Sequence, residues 1–171
     1  MTDQVFIDGA FRTLDATTGS ELERRLGLGG RFETLLVRRG RARDIAAHLD
    51  RLRAGVDLPM PVAELRAAVE RVAADWHGTG RLRIVLTEPP DAGIAVTVTA
   101  YEPLDAAAYR SGVAVRLLSE PVIHAADLAR REKTLEWRRT ALELSDRSVF
   151  EGLLHNETGA LVEGLLSLIH I

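Results

Sequence analysis

The sequence has 171 residues and a formal net charge of −3, with 46% hydrophobic and 27% charged residues, an ordinary globular composition that suffices for one sizeable domain or a domain and a half. It contains no cysteine, which excludes disulfides, thiolate catalysis and cysteine-ligated metal, and no basic stripe or block of like charge that would point to nucleic acid. No basic segment leads into an apolar run at the N-terminus, and no window approaches the ~20 apolar residues of a membrane span, so a soluble cytoplasmic protein is expected.

In chain order, Val5-Phe6-Ile7, Asp8-Gly9 and Ala10-Phe11-Arg12 predict a tight hairpin, because Asp-Gly tolerates positive φ at both turn positions. Residues 17–30 predict a polar, flexible connection. Their glycines, Gly27, Gly29 and Gly30, match neither G-x-G-x-x-G nor a P-loop, and no GKS or GKT follows. A strand is predicted over 32–38, turned by Arg39-Gly40. Asp44 then caps a helix on which Ile45, His48, Leu49 and Leu52 form one apolar stripe at i, i+3, i+4 and i+7. His48 on that stripe reads as a packed, hydrogen-bonded histidine rather than a metal ligand. Arg51 sits at the stripe's edge, where a solvated arginine and a cation at a pocket mouth with a packed stem are both open.

Pro59 and Pro61 predict the end of that helix and the start of the next, whose stripe is Val62, Leu65, Val69, Val72 and Trp76. Gly78-Thr79-Gly80 breaks it. Residues 81–87 and 94–100 alternate as paired strands around a turn at 89–93, with Arg81 and Arg83 on one face of the first. Asp105 begins a short helix closed by Gly112; Val113, Val115 and Leu117 mark a strand; and 121–128 reads as a linker. Residues 150–154 and 160–163 predict a hairpin around Asn156-Glu157-Thr158-Gly159, where glycine supplies the positive φ. The five histidines show no H-x-H or H-E-x-x-H spacing, so no metal site is expected.

Three stretches in this order carry a resemblance: Arg31-Phe32-Glu33-Thr34-Leu35; His48-Leu49-Asp50-Arg51-Leu52; and Lys133-Thr134-Leu135 with a following helix, the hairpin, and Val162-Glu163-Gly164-Leu165-Leu166-Ser167. Together they resemble fold-type IV pyridoxal-phosphate enzymes, the class of branched-chain aminotransferases, D-amino-acid aminotransferases and aminodeoxychorismate lyases. The resemblance runs to about Ser167. It implies an α/β (α+β) fold: a small N-terminal two-layer α/β domain over 1–120, a linker over 121–130, and the start of a second, barrel-like cofactor-binding domain over 131–171. It implies pyridoxal 5'-phosphate as cofactor, Lys133 as Schiff-base residue and general acid/base, Glu163 at the ring nitrogen and Arg51 at the phosphate. Phe32 and Arg83 are the implied substrate contacts, Arg83 for a carboxylate. A homodimer when full length, an amino-acid or amino-chorismate substrate, and neither nucleic acid nor membrane as partner complete the expectation. On chemistry alone, neither a lysine beside Glu132 nor a glutamate before glycine at a strand end would stand out.

The subgroup stays open. Aminotransferases of this class often carry a tyrosine five residues after the lysine, where Arg138 stands; lyase-like members tend to carry Asn-Arg shortly after Lys-x-Leu, where Glu136-Trp137 stands. An aminotransferase of branched-chain or related amino acids is the first expectation, a lyase forming 4-aminobenzoate and pyruvate the second, and a non-catalytic α/β binding module the third. Leu166 to Ile171 departs from the family pattern and resembles the translation of a transposase sequencing adapter. A gene fragment read into adapter is therefore expected, inactive as residues 1–171, with a folded first domain through about Leu118 and an aggregation-prone tail. A genuine stop codon after Ile171 in genomic DNA would contradict that expectation.

Overall fold

A computed structural model of the protein describes residues 4–119, 134–145 and 148–165. The chain divides into two compact units, Met1–Glu102 with Glu132–Glu136, and Pro103–Arg131 with Trp137–Ile171.

The first unit is built on a six-stranded antiparallel sheet. Its strands are β1 (Gln4–Ile7), β2 (Ala10–Thr13), β3 (Gly30–Arg38), β4 (Arg41–Ala42), β5 (Thr79–Thr87) and β6 (Gly93–Ala100), in spatial order β2-β1-β6-β5-β3-β4. The hairpin between β1 and β2 turns on Asp8 (φ 46°) and Gly9 (φ 89°), as Asp-Gly predicts. Because strand side chains alternate between faces, Leu35, Val37, Leu82, Ile84 and Val96 lie on one face. There they pack under Leu49 and Leu52 of α2 (Ile45–Leu52) and Leu65, Val69 and Val72 of α3 (Val62–Ala74). On the opposite face Val5, Ile7 and Ala95 pack under Leu22 of α1 (Ala16–Leu26).

Residues 17–30 are therefore not a flexible connection; most of them are helix. Asp15 caps α1: Thr18 N–H donates to its Oδ1 at 2.8 Å, while the Thr18 hydroxyl lies 3.4 Å from the Asp15 N–H, a reciprocal capping box. The helix hides from an apolar-period search because the buried positions include Thr18 and Arg25, so the stripe is part polar. Asp44 does precede α2, but in a left-handed conformation (φ 50°) and without a side-chain cap bond. α2 ends at Leu52, ahead of Gly55 at φ 74°, rather than at Pro59. α3 ends at Ala74, so Trp76 lies beyond the helix rather than on its stripe; β5 begins at Thr79, which makes Gly80 a strand residue, and a Cβ there would lie 2.6 Å from the Trp76 indole nitrogen.

Gly30 opens β3 at φ 142°, a conformation that L side chains rarely adopt, and an added Cβ would meet Thr87 Cα at 2.9 Å and the Leu86 carbonyl oxygen more closely still. Both neighbours are backbone and neither can step aside. Gly30→Ala is expected to lower stability by about 1–3 kcal/mol from backbone strain; urea denaturation with an unchanged midpoint would contradict this.

The second unit contains α4 (Ala106–Ser111), which is capped by Asp105 accepting from Ala108 N–H at 2.7 Å and closed by Gly112 at φ 76°. A three-stranded sheet follows, β7 (Val115–Leu117), β8 (Glu151–His155) and β9 (Leu161–Gly164), with β7 parallel and β9 antiparallel to β8. Ala141 of α5 (Leu135–Leu144), Leu154 and Leu165 form its small core with Leu118, Trp137 and Val162. Gly159 turns the β8–β9 hairpin at φ 81°. The predicted linker over 121–128 and the ending Leu166 to Ile171 lie outside the described residues. Among the described residues no helix is long and apolar enough to cross a membrane.

Candidate active site

The parity that directs Leu35 and Val37 of β3 into the apolar face also directs Glu33 there, and Glu33 is only 1% exposed. A buried carboxylate is costly unless it is paired and hydrogen-bonded. Glu33 has both: Arg51 donates Nε–H to Oε1 at 2.6 Å and Nη2–H to Oε2 at 2.7 Å, and His48 Nδ1 lies 2.7 Å from Oε2. His48 and Arg51 reach the same acid because residues three apart share a helix face. An ionised carboxylate only accepts, so His48 Nδ1 carries the proton and donates it to Glu33. The 2.9 Å approach of Arg51 Nη2 to that nitrogen is then a donor-to-donor contact, not a hydrogen bond. Glu33 raises the Arg51 guanidinium above its usual range, against the opposing effect of burial.

Glu33 occupies one edge of the Arg51 fork. The guanidinium has five N–H bonds, so three remain, two of them side by side on the Nη1–Nη2 edge, and the Arg51 side chain is 42% exposed. A planar edge of this kind suits phosphate or carboxylate oxygens.

Phe32 and Arg83 lie on the sheet's other face. Arg83 pairs in register with Thr34 and Thr97, Phe32 pairs with Val85, and the Arg83 guanidinium carbon stands 5.8 Å from the Phe32 ring centroid. Both side chains are half-buried. The structure thus brings the two predicted substrate contacts together and places Arg51 across the sheet from them.

In the second unit, Glu163 is half-buried on β9, opposite Leu154. The glycine after it has a packing reason: a Cβ on Gly164 would meet the Glu151 carboxyl at 2.5 Å, and Glu151 is itself buried. Lys133 lies outside the described residues. The sequence by itself assigns no role to Glu33 or Glu151. The signal for Glu33 was its inward parity in an otherwise apolar run; Glu151, the first residue of its strand, carries no comparable sign. Among the described residues, no group of three or more His, Asp or Glu side chains could hold a metal ion.

The model of the class IV amino-transferase family matches residues 30–168. The chain belongs to that family. Class IV aminotransferases use pyridoxal 5'-phosphate, and among similar solved structures is a hypothetical aminotransferase from Mycobacterium tuberculosis in its PLP-bound form, 25% identical, with TM-score 0.68, covering 95% of this chain and 65% of that one. A protein assigned as a 4-amino-4-deoxychorismate lyase is 33% identical over 81% of this chain and 58% of that one, with TM-score 0.62. One assigned as a branched-chain amino acid aminotransferase from Thermotoga maritima has TM-score 0.70 over 96% of this chain and 61% of that one, and at 19% identity it shares the fold alone. Among curated proteins none matches. This class IV chain therefore spans about three fifths to two thirds of the length of these relatives.

Proposed function

We propose that the protein is a pyridoxal-phosphate-dependent aminotransferase of branched-chain or related amino acids. The observation that carries this is Arg51, a half-exposed guanidinium anchored on a buried carboxylate, with one edge of N–H donors left for an oxyanion. The donor set suits the cofactor: Arg51 would hold its phosphate, and the Glu163 carboxylate would keep a proton on its ring nitrogen. When bound, pyridoxal phosphate supplies the electron sink for chemistry at the amino-acid Cα. Lys133 would attach the cofactor covalently and move the Cα proton, roles that require a partly deprotonated amine. Arg83, against the Phe32 ring, would take the substrate carboxylate. Homodimer formation belongs to the same proposal.

Lys133 is the only lysine of the chain, and arginine stays protonated and cannot form the imine. Borohydride reduction of the PLP-treated protein followed by peptide mapping is expected to place the pyridoxyl group on Lys133, and Lys133→Ala to remove it. A label elsewhere sinks the assignment. A second reading, an aminodeoxychorismate lyase, is favoured by the 33% identity to the protein assigned to that activity. Pyruvate release from aminodeoxychorismate without an added amino acceptor would select it over transamination.

A further inference from the structure

We propose that Glu33 is a positioning residue: its buried carboxylate takes the Nε–Nη2 edge of Arg51 and thereby holds the Nη1–Nη2 edge in place for the cofactor's phosphate. The inference rests on the reading of Arg51 given above and adds a residue to it. Glu33 cannot touch the phosphate itself, because two anions side by side repel. Its leverage is orientation. A long, half-exposed arginine is otherwise free to sample many rotamers, and ordering it on binding weakens affinity; a side chain ordered in advance avoids that loss. Two bonds of 2.6 and 2.7 Å fix the plane of the guanidinium as well as its place. The anchor is itself fixed, by its strand position between core residues and by His48 Nδ1 at 2.7 Å. The Glu33–Arg51 pair carries no net charge, so the phosphate would be recognised through directed N–H bonds more than through a bare cation.

A salt bridge that merely ties α2 to β3 would have the same appearance, and the test must separate the two. Equilibrium affinities for pyridoxal phosphate and for pyridoxal, which lacks the phosphate, are to be measured on the 171-residue protein, Glu33→Gln, Arg51→Ala and the double variant. Glu33→Gln is expected to weaken pyridoxal phosphate roughly tenfold, about the worth of one charged hydrogen bond, and to leave pyridoxal unchanged. On the Arg51→Ala background it should have no further effect, because the group it positions is gone. Should Glu33→Gln fail to fold, Glu33→Asp keeps the charge but withdraws the anchor by one methylene, and the same phosphate-selective loss is expected. Equal losses for both ligands, or additive effects in the double variant, would overturn the proposal while leaving Arg51 in its role. If Arg51→Ala does not discriminate the two ligands, the Arg51 reading falls and this inference with it.

Discussion

Arg25→Met is expected to lower stability by about 3 kcal/mol at neutral pH, the scale on which removing one member of a buried ion pair acts. Arg25 is 6% exposed. Its Nη2 donates to Asp8 Oδ2 and, at 2.9 Å, to Glu21 Oε1, while Nη1 donates to Asp8 Oδ1 at 3.2 Å. The same Asp8 oxygen accepts the Ile94 N–H at 2.7 Å. One cation thus ties the β1–β2 turn to α1 and, through Asp8, to β6. Methionine replaces the buried stem but removes the cation that lies between the two carboxylates, and only the more exposed Arg12, 2.9 Å from Glu21 Oε2, is left to balance them. Asp8 and Glu21 remain partly solvated, which keeps the expected loss at the low end of the range. The cluster also explains Gly93, where a Cβ would lie 2.5 Å from Arg25 Nη1 and 2.6 Å from Asp8 Oδ1.

The pH dependence of this loss has a definite sign. Burial pushes the Asp8 carboxyl up, but the Arg25 hydrogen bond, the Ile94 amide and the Arg25 charge together hold it below the usual 3.8. A depressed carboxyl stabilises the fold fully above its unfolded value and loses that contribution as pH falls through the lower folded one. The difference in stability between the unaltered protein and Arg25→Met should therefore be constant above about pH 5 and shrink below pH 3.8. Urea denaturation at a series of pH values checks both parts; equal midpoints at pH 7 would refute the account.

Arg51→Ala is expected to act in two assays at once. Stability should fall by about 2 kcal/mol, because Glu33 keeps His48 as partner yet loses the cation that balanced its charge in the core. Affinity for pyridoxal phosphate should weaken by a further ~1.5–3 kcal/mol, the worth of a charged hydrogen bond. Arg51→Lys should recover part of the stability and little of the affinity, since an ammonium restores the charge but not the planar edge. Unchanged cofactor affinity with a raised amino-acid KM would instead place Arg51 on the substrate.

Much of the first unit was legible residue by residue. The Asp8-Gly9 turn, the stripes of α2 and α3 and the strands β3, β5 and β6 follow from local dihedral preference and side-chain period, which neighbouring residues alone impose. His48 and Arg51 could be placed on one helix face for the same reason, and motif order was enough to name the family that the comparison then matched over residues 30–168. Partnership was not legible. Glu33 shows by parity that it points inward, but the residue that neutralises it lies 18 positions away and reaches it only because α2 lies across β3. α1 escaped notice because the partner that makes Arg25 tolerable inside is Asp8, 17 positions earlier in a hairpin turn. Gly30 read as a loop residue until strand pairing set Leu86 and Thr87 against it. In each case the free energy of a charged or unhindered position depends on groups distant in sequence, and only the packed sheet brings them within reach.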